Sequence, residues 1–307
     1  MSLRINNNIE SMNAHRNLLM NDRALSKSLE RLASGQKINR AADDPAALVI
    51  SEHMRAQVSG MKQAIRNNEV AISLVQTAEG SMNEISSILV SLRQRAISAA
   101  NVGASDQDMI DANQAEIENA LASIDRVVST TQFGHYKLLD GTNAAKTETN
   151  EDGSISTQEG LRFHVGPNAE HMASTSIRDM STSALGRATV PEGEMPNKSN
   201  FMSLADIDVR NEQGAQDALA IIDQALTEVA TVRGELGAFQ KHTLESNLTS
   251  LQVAAENMTA AESTIRDTDM AQELATFTRN QIMTQSATAQ LAQANAMPQH
   301  VLRLLNG

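Results

Sequence analysis

Residues 45–100 read PAALVISEHMRAQVSGMKQAIRNNEVAISLVQTAEGSMNEISSILVSLRQRAISAA, and no other stretch of the chain is as long, as regular or as free of helix breakers. Its apolar positions run Met54, Val58, Met61, Ile65, through Asn68 to Ile72 and Val75, and through Glu79 to Met82. Steps of four and three residues make a coiled-coil seam. Beyond Met82 the pattern resumes one step short, as Ile85, Leu89, Leu92 and Ala96, so a phase slip is expected beside Gly80. A helix over this range spans roughly 84 Å at about 1.5 Å per residue, and it needs partner helices along its whole length.

The partner lies downstream. From Asp206 a helical pattern carries Leu219, Ile222, Leu226, Val229 and Leu236, softens at Gly234 and Gly237, and continues as Leu244, Leu248, Leu251, Ala255, Met258, Glu262 and Ile265. The pairing is therefore intramolecular, with Met54, Val58, Met61, Ile65, Ile72 and Val75 facing Leu248, Leu251 and Met258 in a rod seam. A further helix opens at the capping box Ser105-Asp106-Gln107-Asp108 and carries Ile110, Asn113, Ile117, Leu121, Ile124 and Val128 on one side.

Between these helices the period changes. Phe133 to Gly141 has the signature of strand and turn, and Leu161, Phe163 and Val165 alternate before Gly166-Pro167-Asn168. A small antiparallel hairpin region is expected there, with Thr142–Glu159 and Ser181–Asn200 as exposed polar loops.

Both ends are helical as well. Ile5, Ile9, Met12, Leu18, Leu25, Leu29 and Leu32 precede a stop at Ser34-Gly35, and Asp44-Pro45 then starts the long helix. Asp269 and Gln272 are placed to cap a last helix through Leu274 and Phe277, which continues with Ala287, Leu291, Ala294, Pro298, Val301, Leu302 and Leu305. A proline inside a helix costs about 3 kcal/mol, so a kink or restart is expected at Pro298. Small Ala residues in that seam permit close approach of the N-terminal helix.

The fold class that follows is mainly α: an elongated antiparallel helical bundle or coiled-coil rod with a small β-hairpin region and paired N- and C-terminal helices. Composition agrees, since five Phe, one Tyr and no Trp suit narrow helix seams better than a thick interior. The chain has no cysteine, which removes disulfides, thiol catalysis and cysteine-held metals.

Net charge is −12, distributed as +4 over residues 1–42, 0 over 263–307 and −16 between them. An acidic centre argues against nucleic acid along its length. No stretch is apolar enough for membrane insertion, and the start Met1-Ser2-Leu3-Arg4 lacks the apolar core of a secretory signal. The chain is thus expected in the cytosol or exported by a route that uses no cleaved signal.

Nothing points to an enzyme or a cofactor. The seven histidines (His15, His53, His135, His164, His171, His242, His300) lack metal-ligand spacing, and no phosphate-binding loop, dinucleotide fingerprint or nucleophile elbow occurs. Asp43 and Asp44 read as helix-start acids, and so do Asp106, Asp108 and Asp111, which lack the glycine of a calcium loop.

Three stretches carry a resemblance to bacterial flagellin: Arg31–Leu48 (RLASGQKINRAADDPAAL), Ile124–Val127 with Thr131–Phe133, and Leu291–Asn295 continuing through Pro298–Leu302. The resemblance spans roughly residues 1–140 and 205–307. It implies a subunit that self-polymerises into the filament used for swimming, secreted and extracellular, with residues 1–42 and 266–307 as filament-core helices. Residues 43–140 and 205–265 are then the two halves of a rod domain, and 141–204 the β-hairpin and variable loop region.

Implied partners are identical subunits in a helical homopolymer, a flagellar export chaperone, and cap and hook-associated proteins, with type III export of the unfolded chain. The assembly residues would be the terminal apolar positions named above. The family's Toll-like receptor 5 region corresponds to Leu89–Asn101 with Glu116. Here Ser91 stands where an arginine is expected and Arg95 where a leucine is expected, so strong activation is not expected. A hook–filament junction protein is the alternative; it would share the ends and differ in the middle.

Overall fold

The computed structural model describes residues 8–101, 106–144, 146–149, 155–158, 160–187 and 197–305, with side chains outside 146–158 and 298–305. The helices are α1 (Ile9–Ser34), α2 (Pro45–Ala100), α3 (Gln107–Thr130), α4 (Glu212–Ala238), α5 (Ser246–Arg266) and α6 (Met270–Leu305). The chain divides into two compact units, residues 1–59 with 255–307, and residues 60–254. Both α2 and α5 run from one unit into the other.

In the unit of residues 60–254, α2 buries Met61, Ala64, Asn68, Ala71, Val75, Ala78, Met82, Ile85, Leu89, Leu92, Ala96 and Ala99. These positions alternate by three and four without interruption, so there is no slip at Gly80. Size explains the difference from the sequence reading, which followed the large side chains Ile65 and Ile72. Both are only half-buried at the edge of the stripe, while the seam passes through the small neighbours Ala64, Ala71 and Ala78.

The facing stripe on α4 has the same character: Ala215, Ala218, Ile222, Ala225, Val229, Val232 and Leu236 are all buried. With α3, which buries Ile110, Ile117, Leu121, Ile124 and Val128, the two helices enclose one core. Ion pairs flank it. Arg93 Nε meets Asp223 at 2.7 Å and Arg233 meets Glu79 at 3.9 Å, which sets α2 and α4 antiparallel.

The phase change falls between α4 and α5. After Leu236 the next fully buried side chain is Leu244, and residues Phe239–Glu245 between them are π-helical. The glycines Gly234 and Gly237 stay inside α4. A π turn has wider i→i+5 bonds and so rotates the following apolar stripe; here it also swings Phe239 onto the core, 6.3 Å from Phe163.

Among the described residues three two-stranded antiparallel hairpins form: β1 (Gln132–Phe133) with β2 (Tyr136–Lys137), β3 (Lys146–Thr149) with β4 (Ile155–Gln158), and β5 (Leu161–His164) with β6 (Met172–Thr175). The second corrects the reading of Thr142–Glu159 as loop; the β-branched Thr147, Thr149, Ile155 and Thr157 suit its strands. The described start of Ser181–Asn200, residues 181–187, also departs from an exposed loop. Leu185 is buried, and Thr182 donates through its N–H and Oγ1 to Asp125 at 2.9 and 2.8 Å.

Where β5 ends, three amides hold its carbonyls. Asn67 Nδ2 donates to His164 O at 3.1 Å, while Asn68 and Asn247 donate to Val165 O at 3.3 and 2.6 Å. The N-cap of α3 is Asp106, whose side chain makes no capping bond; Ser105 of the expected capping box lies outside the described residues. The helix α6 runs without a restart through Pro298.

Candidate assembly surface

The first unit is built on α1 and α6. Asn8 caps α1, its Oδ1 accepting from Ser11 N at 3.0 Å. Gly35 ends the helix at φ +72, a left-handed conformation that glycine adopts without a Cβ penalty. Asp269 opens α6 as the sequence predicts, accepting from the N–H groups of Ala271 and Gln272 at 2.9 and 3.2 Å.

The two helices lie antiparallel. Asn8 Nδ2 donates to Ala294 O at 2.8 Å, Ser11 Oγ to Asn295 Oδ1 at 2.6 Å, and Asn280 Nδ2 to Ser28 Oγ at 3.4 Å. At the other end Arg31 stands 3.6 Å from Glu273. The facing stripes are small or polar: Ser28, Ala287 and Ala294 are buried, and Ser11, Ala14, Asn21, Asn280 and Thr284 are half-buried.

The large apolar side chains mostly point elsewhere. Leu18, Leu25, Leu32, Phe277 and Leu291 are half-buried at the pair, whereas Ile9, Met12, Leu19, Met20 and Leu29 on α1 and Met270, Leu274, Ile282, Met283 and Met297 on α6 are exposed. Met12 is 69% exposed and Ile282 58%, values ordinary for a charged surface residue rather than for a core one. Ile5 lies outside the described residues, and Val301, Leu302 and Leu305 belong to α6 beyond its described side chains.

Sequence reasoning placed Ile9, Met12 and Leu29 with the other assembly positions, but could not tell which face meets α6. The residues that bind the pair, Asn8, Ser11, Asn21, Ser28 and Asn280, gave no apolar signal; only the spacing of Ala287 and Ala294 hinted at a close neighbour.

The connections at the base of the pair form a short ladder. Lys37 N donates to Arg266 O at 2.7 Å, and Thr268 N to Gly35 O at 3.0 Å. Arg266 then reaches Glu52 at 2.7 Å and holds its carboxyl below the ordinary range. Lys27 Nζ stands 2.6 Å from Asp43, tying α1 to the link before α2.

That ammonium, helped by the Arg40 and Asn39 amides and opposed by partial burial, lowers the Asp43 carboxyl from 3.8 to about 2. A lowered carboxyl stabilises the link above its ordinary value, and the contribution is lost as pH falls from about 4 through about 2. Carbon-13 NMR should find the Asp43 titration near pH 2, and Lys27→Met should move it up towards 3.8.

Of the seam positions read from sequence, Met61, Val75 and Leu251 are buried and Met54, Val58, Ile65, Ile72, Leu248 and Met258 half-buried. Ser91 is exposed on α2, and Arg95 pairs with Glu116 on α3 at 2.6 Å.

Residues 5–144 match the bacterial flagellin N-terminal helical region, and residues 219–305 the bacterial flagellin C-terminal helical region. The chain belongs to the bacterial flagellins. The flagellin of Bacillus subtilis (strain 168) is 40% identical over 99% of this chain and 100% of its own length. The flagellar filament 30.7 kDa core protein of Treponema maltophilum is 38% identical over 98% of this chain and 99% of its own. Among solved structures, a putative flagellar hook-associated protein from Vibrio parahaemolyticus covers 73% of this flagellin and 100% of its own chain, with TM-score 0.56 at 15% identity, a likeness of fold alone.

Proposed function

We propose that this flagellin is the structural subunit of a flagellar filament used for swimming, and that it polymerises through the α1–α6 pair. The observation that carries this is the outward row of large apolar side chains on two helices that hold each other by small and polar ones. Burying one such side chain against a neighbour contributes about 1.5–3 kcal/mol. Identical subunits, each bringing the same two faces, are the partner that buries them in an open helical lattice.

On this reading residues 1–42 and 266–307 form the filament core, 43–140 and 205–265 the rod, and 141–204 the variable outer part. The chain acts by assembly and performs no chemistry. The filament is extracellular, and a flagellar export chaperone, the cap and hook-associated proteins handle the chain before and after polymerisation. The hook–filament junction alternative requires a different middle region, whereas the Bacillus subtilis flagellin aligns across it. Toll-like receptor 5 is not strongly activated, because Arg95 stands in place of an apolar contact and is engaged by Glu116.

Electron microscopy of the purified chain tests the reading. Uniform helical filaments should form as concentration and salt are raised; a chain that stays monomeric throughout would overturn it.

A further inference from the structure

Pro298 has no N–H, so the carbonyl four residues earlier on α6, that of Ala294, lacks the donor a helix would supply. In this structure the amide of Asn8 takes that place, with Nδ2 at 2.8 Å from Ala294 O. The other end of the same amide, Oδ1, caps α1 by accepting from Ser11 N at 3.0 Å. One partner is a carbonyl and the other an N–H, so the amide's orientation is fixed by its neighbours.

We infer that Asn8 and Pro298 form a register lock: the side chain that starts α1 also completes α6, so the Ala294 carbonyl is satisfied only when the helices pair at this register. The proline that a lone helix would tolerate poorly becomes the residue that selects its partner. Ser11 reinforces the register one turn on, through its 2.6 Å bond to Asn295. A shift of α1 by one turn would leave the Ala294 carbonyl unsatisfied at a position that is 9% exposed, and an unpaired buried carbonyl is costly.

The inference rests on the assembly reading, because the lock matters where α1 and α6 are packed in a filament. The test separates Asn8's two roles. Asn8→Asp keeps the cap, since aspartate caps as well as asparagine, but it removes the donor and turns an oxygen on the carbonyl.

In the otherwise unchanged chain, Asn8→Asp should raise the critical concentration for polymerisation and the exchange rates of the Ser11 and Met12 amides by about tenfold. Pro298→Ala restores an N–H to Ala294 O, and in that background Asn8→Asp should change both by less than about twofold. Equal effects in the two backgrounds, or no effect in either, would overturn the lock.

If Asn8→Asp alone forms no filaments, the double variant should recover them, and its failure to do so also counts against the lock. Failure of the unmodified chain to polymerise would instead sink the assembly reading. The lock would then be judged by the same amide exchange in the soluble chain, where unprotected amides in every variant would refute it.

Discussion

Deleting residues 1–35 will leave a soluble protein that unfolds cooperatively and forms no filament. The packing of the second unit gives the reason. Its core cluster runs from Ala71 to Leu244 and contains no residue of α1 or α6, so the truncation removes nothing from it. What the truncation does remove is five exposed apolar side chains, Ile9, Met12, Leu19, Met20 and Leu29.

At about 1.5 kcal/mol each, their combined burial is worth more than five powers of ten in an association constant. Removing them should push the critical concentration beyond reach. The loss of α1 also strips α6 of its partner at Ala287 and Ala294, so circular dichroism should show helix lost at that end while the main melting transition stays within a few degrees. Sedimentation and negative-stain microscopy would check the first outcome and thermal melting the second. Filaments from the truncated chain would end the assembly reading; a chain that no longer folds would end the division into separate units.

Much of this architecture is legible in the sequence, because long helices write their seams as periodic apolar residues. The bounds of α2, the stop at Gly35, the cap at Asp269 and the downstream partner of α2 all follow from that pattern. The reading fails where packing uses residues that hydrophobicity does not mark. Ala64, Ala71 and Ala78 are buried in the seam, yet the pattern of large side chains points to Ile65 and Ile72 beside them.

The α1–α6 seam is harder still, since Ser28, Asn21 and Asn280 look like surface residues until a second helix is laid against them. Pro298 marks the same limit from the other side. Taken alone it predicts a break, and the carbonyl it leaves without a helical donor, Ala294 O, is met by the Asn8 amide from 286 positions away in sequence. Long-range hydrogen bonds of this kind leave no local periodicity to read.

Two adjacent residues of α2 decide where the seam runs. Ala78→Glu should unfold the unit of residues 60–254 under conditions where Glu79→Ala leaves it folded. Ala78 is completely buried within the core cluster, so a glutamate there must either carry an unpaired charge into the interior or force the helices apart. An uncompensated buried charge costs about 3–5 kcal/mol, a large part of the stability of an ordinary domain.

Glu79, one residue on, is half-buried at the rim, and its 3.9 Å pairing with Arg233 is partly open to water. Its loss should therefore cost no more than about 1 kcal/mol. Thermal unfolding of the monomeric variants gives the comparison directly. Had the seam slipped at Gly80, Glu79 would face inward, Ala78 would be free, and the order of the two variants would reverse.

The pH dependence supplies a second reading of the same experiment. Burial raises a carboxyl's pKa, so the penalty of Ala78→Glu shrinks as acid protonates it, and the gap from the parent chain should narrow towards pH 4. An exposed glutamate at position 78 would titrate without changing that gap.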